Sequence, residues 1–284
     1  MSKVRIVVDS TSDIRVDLRE KYGIYTIPLN IVMNDESFAD MIDTTPVEII
    51  KWSNDNKTTP KTAAPSIVYA EEILQKCKDA DEDVVFFGIS EDMSTTCNVI
   101  RLVSEDLDYA DRVKVIDSLN LSIGIAIQAV RAAELAEAGK SADEIYDIIC
   151  ADRHKVQTSF IVDELTFLAR GGRCSAATAL FAGALKIKPR IELHDGKMGV
   201  GKKYRGNYQK TLDKYIDDLK EVLPTADDSK VFIAHSPVKD EYLQQFVDSV
   251  KALNYFKEIV LYPVGGVITS HCGPGTIGIS YYEK

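Results

Sequence analysis

VRIVVDSTSD, residues 4–13, decides the architecture. Five apolar or aliphatic-stemmed positions run without alternation, then stop at an Asp followed by three hydroxyls. A run apolar on both faces is the pattern of a strand covered on both sides, as in a parallel sheet. The same sentence is repeated along the chain: DVVFFGISEDMSTT (83–96), VKVIDSLNLSIG (113–124), KVFIAHSP (230–237) and EIVLYPVGG (258–266). Each apolar run ends in a polar or glycine-containing loop, and helical patterns follow. Strands alternating with helices indicate an α/β protein.

Helix signals lie between these strands. Thr45, Pro46 and Glu48 form a capping box with proline at the first helical position. Ser141 and Glu144 form a second, just after Gly139 closes an Ala-rich helix from about Ile125 to Ala138. Asp163 to Arg170 reads as a short helix stopped by Gly171 and Gly172. The second half changes character. ALKIKPRIELHDGKMGVGKKY carries an Asp195-Gly196 turn between two strand-like runs, a β-hairpin signal, and TIGISYYEK reads as a terminal strand. The boundary between two α/β domains is expected near residue 155, giving 1–155 with a mostly parallel sheet and 156–284 with a mixed sheet.

Bulk properties narrow the function. The chain has 284 residues and a formal net charge of -10, which disfavours nucleic acid as a partner. No signal-peptide pattern opens the sequence and no run of about 18 apolar residues crosses it, so a cytoplasmic protein is expected. Five scattered cysteines without a C-x-x-C argue against a disulfide framework or a zinc site. G-x-G-x-x-G, G-x-S-x-G and H-E-x-x-H are all missing. GKMGVGKK (196–203) approaches a P-loop, but Lys203 stands where Ser or Thr must reach magnesium, and the segment lies in the hairpin.

The candidate chemistry lies in the loops. In open parallel sheets, ligands bind beyond the carboxyl ends of the strands. Those ends offer Ser10, Thr11 and Ser12; Ser90, Ser94, Thr95 and Thr96; Ser118 and Ser122; and, between the first two groups, Thr62 and Ser66. Each hydroxyl is either a helix N-cap or part of a shared anion site. Arg173, after two glycines, is either a solvent-facing residue past a helix end or a clamp for carboxylate or phosphate. His271 in SHCGPG is an incidental loop residue or a group for anions, metals or acid–base work. His154, His194 and His235 have no motif. CSAATALFAGALKI (174–187) has many small residues, fit for close helix packing or for leaving room for a chain. The basic stretch Lys186, Lys188, Arg190, Lys197, Lys202, Lys203 and Arg205 is a solvated hairpin or a contact face.

In order and spacing, VVDSTSD, Thr62-x-x-Pro65-Ser66, the Ser94 loop, VIDS (115–118), FLARGGR, Lys188-Pro189 and SHCGPG resemble the DegV family of bacterial fatty-acid-binding proteins. The resemblance spans nearly the whole chain. It implies two α/β domains with a long-chain fatty acid between them and no cofactor. By position it assigns the carboxylate to Thr62 and Ser94, with Thr95 in the same loop, and the head group or its phosphorylated form to Arg173 and His271. It implies a carrier without catalysis, serving a separate fatty acid kinase whose acyl-phosphate product feeds phospholipid synthesis; in such a carrier the basic stretch, if a contact face, docks the kinase or makes a transient contact with an anionic membrane. Two positions depart from the family pattern: Ala63 stands for its common Ser, and Thr95 for its common Gly. An acyl hydrolase using Ser94 with His271, a phosphotransferase and a small-molecule sensor are the competing readings.

Overall fold

A computed structural model describes residues 3–182 and 187–284. Strands Lys3–Asp9 (β1), Tyr25–Ile27 (β2), Asn30–Met33 (β3), Glu36–Ala39 (β4), Lys61–Ala63 (β5), Glu82–Gly88 (β6) and Val113–Asp117 (β7) belong to the first half. Val156–Ile161 (β8), Ile187–His194 (β9), Lys197–Arg205 (β10), Lys230–His235 (β11), Glu258–Pro263 (β12) and Ile277–Tyr282 (β13) belong to the second. The helices are Val16–Tyr22 (α1), Pro46–Asn56 (α2), Ile67–Asp79 (α3), Thr96–Asp106 (α4), Ile123–Glu137 (α5), Ala142–Asp152 (α6), Thr166–Gly171 (α7), Ser175–Ala182 (α8), Tyr208–Val222 (α9), Asp240–Ala252 (α10) and Gly266–Cys272 (α11).

The run quoted first is the second strand of a four-stranded parallel sheet ordered β2-β1-β6-β7. Its uninterrupted apolar character has the expected cause. Ile6 and Val8 pack into the core that contains α5, while Val7 packs into the core of α3 and α4. The second sheet is mixed and six-stranded, ordered β10-β9-β8-β13-β11-β12. Only β11 and β12 run parallel, as their matched apolar runs suggest; the C-terminal strand β13 sits between β8 and β11, antiparallel to both. A small antiparallel sheet, β4-β3-β5, has no counterpart in the sequence reading. Its strands have only three or four residues, too short for a period to show.

Helix α5 joins the two main sheets, touching β1 and β6 on one side and β8, β11 and β13 on the other. Ten of its residues from Ile123 to Ala133 are buried, so it is apolar nearly all round. Its alanines keep the helix thin enough for two sheets to close on it. Both capping boxes are present, at Thr45/Glu48 and Ser141/Glu144. The short helix before the two glycines runs from Thr166 rather than Asp163, because Asp163 leaves the helix to accept from Lys188. The P-loop-like stretch lies in β10, as its rejection requires. Residues 183–186, including Lys186 and part of the small-residue run, lie outside the described residues.

The β9–β10 hairpin reaches back to the first half. Asp195 and Gly196 both have positive φ, 47° and 82°, as a tight two-residue turn demands. A Cβ on Gly196 would lie 2.5 Å from Ser90 Oγ and 3.4 Å from Leu119 Cδ2. The turn thus packs on the loop that follows β6. Gly196→Ala is expected to destabilise the fold by about 1–3 kcal/mol through overpacking and left-handed strain. Gly199→Ala, where a Cβ meets nothing within 4 Å, should be neutral to within about 0.5 kcal/mol. Urea unfolding of the two variants checks the pair; equal losses would contradict the account.

Candidate functional site

A cavity of about 450 Å³ opens where β5 and the segments after β2 and β6 face α11 and the hairpin. Thr62, Ser94, Thr95, Arg173 and His271 all line it. They come from four separate stretches of sequence, and the fold brings every one of them to a single cavity.

Each is placed by identifiable local structure. Thr62 sits in β5, opposite Ile31 of β3, and Asn30 Nδ2 donates to Ala64 O at 2.9 Å just beyond it. Ser94 and Thr95 end the loop after β6. That loop is folded on Ser90, whose carbonyl accepts from Met93 N at 2.9 Å and Ser94 N at 3.1 Å. Arg173 follows Gly172, whose φ of 70° ends α7. It is exposed, donates to Gly171 O at 3.0 Å, and has no ion-pair partner among the described residues. His271 occupies the last turn of α11.

The polar groups form two relays. His271 Nε2 and Thr62 Oγ1 are 2.7 Å apart. Nδ1 is buried and has no hydrogen-bond partner. A Cβ built on Gly171 would lie 2.4 Å from it, so a Gly171 Cα–H points at that nitrogen. A bare lone pair suits this contact and an N–H does not. The proton therefore sits on Nε2 and is donated to Thr62 Oγ1, leaving the Thr62 hydroxyl proton for the cavity. Ser94 Oγ lies 2.8 Å from Thr96 Oγ1. Either hydroxyl can donate in this contact; when Thr96 does, the Ser94 proton is free for the cavity. Thr95 is the N-cap residue of α4 but makes no side-chain cap bond. The site thus presents hydroxyl donors and a guanidinium, a set suited to an oxyanion.

Much of the remaining wall is apolar, with Leu29, Ile89, Leu121, Met198, Ile268 and Cys272 in it, and the exposed Glu91 and Asp92 of the loop after β6 also line it. Leu121, Ile268 and Cys272 also border a small apolar space of about 20 Å³ reaching Phe160 and Val264. Sequence reasoning missed these apolar residues. They lie one or two at a time on different elements, and no periodicity marks them.

The remaining hydroxyls serve the fold. Ser10, Thr11 and Ser12 are fully buried and bond to Asp40, Asp9 and the Asp9 carbonyl. Ser66 caps α3, Ser122 donates to Asp13, and Ser118 closes a local turn. Neither Ser94 nor His271 is bonded to the other, and no carboxylate meets His271 Nδ1. Four of the seven residues of the basic stretch are in ion pairs: Lys188 with Asp163, Arg190 with Glu192 and Asp218, Lys197 with Asp92, and Lys202 with Asp218 and Glu221.

A family model described as "Uncharacterised protein, DegV family" matches residues 3–284. The chain belongs to the DegV family. A fatty acid-binding protein of Thermotoga maritima is 31% identical over 283 residues, covering 97% of this chain and 96% of its own. The structure of a DegV family protein from Thermus thermophilus, described for its fatty acid binding, matches with a TM-score of 0.89 at 26% identity over 99% of this chain and 100% of that one. A DegV family protein from Eubacterium eligens loaded with heptadecanoic acid matches at 0.83 with 25% identity, over 99% and 100% of the two chains. Among the described residues, no helix of this DegV protein is long and apolar enough to cross a membrane.

Burial, helped by the nearby Arg173 charge, lowers the His271 pKa from 6.5 to about 4. Burial raises that of Asp9 from 3.8 to about 6. Folded His271 binds fewer protons than unfolded between these values, so it adds stability as pH rises from 4 to 6.5. Folded Asp9 binds more, so its contribution falls over nearly the same window. The two slopes, about 3 kcal/mol each, oppose one another. In His271→Asn only the decline remains. The stability gap between the native chain and this variant should widen by about 3 kcal/mol from pH 4 to pH 7. Denaturant titrations at each pH measure it; a constant gap would show that His271 is not held neutral.

Proposed function

We propose that this chain binds a long-chain fatty acid, with Thr62 and Ser94 donating to its carboxylate and Thr95, Arg173 and His271 completing the head-group site. One observation carries the reading: five residues from four separate stretches of sequence, all oxyanion donors or their support, line one cavity together with the apolar Leu29, Ile89, Leu121, Met198 and Ile268. The physical chemistry supports it from both ends. Burying a long acyl tail yields about 10 kcal/mol before ordering costs. A carboxylate carried in with that tail must keep its hydrogen bonds, and the site offers donors without a competing acid in the relays.

The protein acts as a carrier and not as a catalyst. It presents the bound acid to a separate fatty acid kinase, and the acyl-phosphate enters phospholipid synthesis. The exposed Arg173 and Thr95 stand at the mouth, where a kinase reaches the head group and where Arg173 meets a phosphoryl product or an anionic membrane. The reading includes a division into domains 1–155 and 156–284, with the ligand between them, and a cytoplasmic location in keeping with five free cysteines.

An organic extract of the purified protein should contain a long-chain fatty acid by mass spectrometry, and delipidated protein should take up oleate in a calorimetric titration. Thr62→Ala and Ser94→Ala should each weaken oleate about tenfold to a hundredfold, the equivalent of about 1.5–3 kcal/mol for a hydrogen bond to a charged group. Protein that is empty as purified and takes up neither oleate nor palmitate would refute the proposal.

A further inference from the structure

The acidic residues of the first loop do not line the cavity, yet they are buried and fully bonded. Asp13 Oδ1 accepts from Gly265 N at 2.7 Å, and its other oxygen accepts from Ser122 Oγ. Asp40, at the end of the small sheet, accepts from Gly266 N at 2.7 Å and from Ser10 Oγ at 2.8 Å. Ser10 Oγ in turn accepts from Leu29 N at 3.1 Å. Asp9 accepts from Thr11 and, at 2.7 Å, from Ile89 N. Gly265 and Gly266 begin α11, and His271 ends it. Ile89 begins the loop that ends in Ser94.

We propose that Asp13 and Asp40 are positioning residues for the head-group site, clamping the start of α11 so that His271 meets Thr62, while Asp9 sets the Ser94 loop from the same turn. Helix α11 has only seven residues, about 10 Å of length. It acts as a short lever: a tilt at Gly266 becomes a displacement at His271. The two anchors lie 252 and 226 residues away in sequence, both in the first half. The clamp therefore fixes the His271 helix of the second half against Thr62, which belongs to the first. Carboxylates suit this work better than amides do. Each one accepts two bonds, and charge-assisted bonds to the amides at a helix start are short and strong. The clamp also occupies the positive pole of α11 with the protein's own acids, which leaves the ligand to the hydroxyls and Arg173. Burial raises the pKa of Asp13 and Asp40, with opposing help from these same donors.

The ligand arm of the test rests on the fatty-acid reading; the spectroscopic arm does not. In Asp40→Ala, oleate affinity measured by calorimetry should fall at least tenfold. The His271 titration, followed by proton NMR of its imidazole, should move up by one unit or more as the ring loses its buried contact. Loss of a nearby negative charge alone would move it down, so the sign separates positioning from through-space electrostatics. Asp40→Asn keeps an oxygen for the Gly266 amide and should restore affinity to within threefold. Ser10→Ala removes one bond of the clamp, should weaken oleate about threefold, and decides the matter if Asp40→Ala does not fold. Unchanged oleate affinity and unchanged His271 titration in the folded variants would overturn the proposal. If the native chain binds no oleate, the fatty-acid reading fails alone, and the His271 titration still decides the clamp.

Discussion

A carboxylate leaves water only when its oxygens are bonded, since an unpaired buried charge costs more than a domain of this size has to spare. That constraint organises this molecule. Asp9, Asp13 and Asp40 are each buried with donors on both oxygens, and those donors come from four different parts of the chain. Satisfying them requires the first loop, the small sheet, the loop after β7 and the start of α11 to meet. Where they meet, β5, the Ser94 loop and α11 converge on a cavity. The cavity sets hydroxyls and a guanidinium beside apolar walls, with Glu91 and Asp92 also in its lining.

Much of the fold was legible because its strands are buried on both faces. VRIVVDSTSD, DVVFFG and EIVLYP show the signal expected of strands between helix layers. Capping boxes at Thr45 and Ser141 and the Asp195-Gly196 turn are local chemistry, which sequence reports well. The small sheet was not legible. Its pairing of Ile31 with Thr62 is a long-range choice made by strands of three or four residues. The role of α5 was hidden for another reason: its Ala-rich pattern predicts a helix but not that two sheets close on it.

The site was legible as residue types and illegible as geometry. Hydroxyls at strand ends look alike in sequence, whether they cap a helix like Ser66, hold an acid like Ser10, or line a cavity like Thr62. Only the surrounding structure separates them. The two departures from the family pattern take on a physical meaning. Thr95 has φ of -88°, which any residue adopts, so the backbone does not demand glycine there. Ala63 and Thr95 line the same cavity. Relative to that pattern, one hydroxyl is lost at position 63 and one is gained at 95, so the cavity wall shifts a hydroxyl from β5 to the α4 cap.

The central claim is that a fatty-acid carboxylate sits ionised among Thr62, Ser94 and Arg173. Carbon-13 NMR of bound oleate labelled at the carboxyl carbon tests it most directly. Hydroxyl donors and a nearby guanidinium hold the group charged, so the account predicts one slowly exchanging carboxyl resonance that does not titrate between pH 5 and pH 9 and that moves in Thr62→Ala. A resonance that titrates within that window, or one that ignores Thr62, would contradict it.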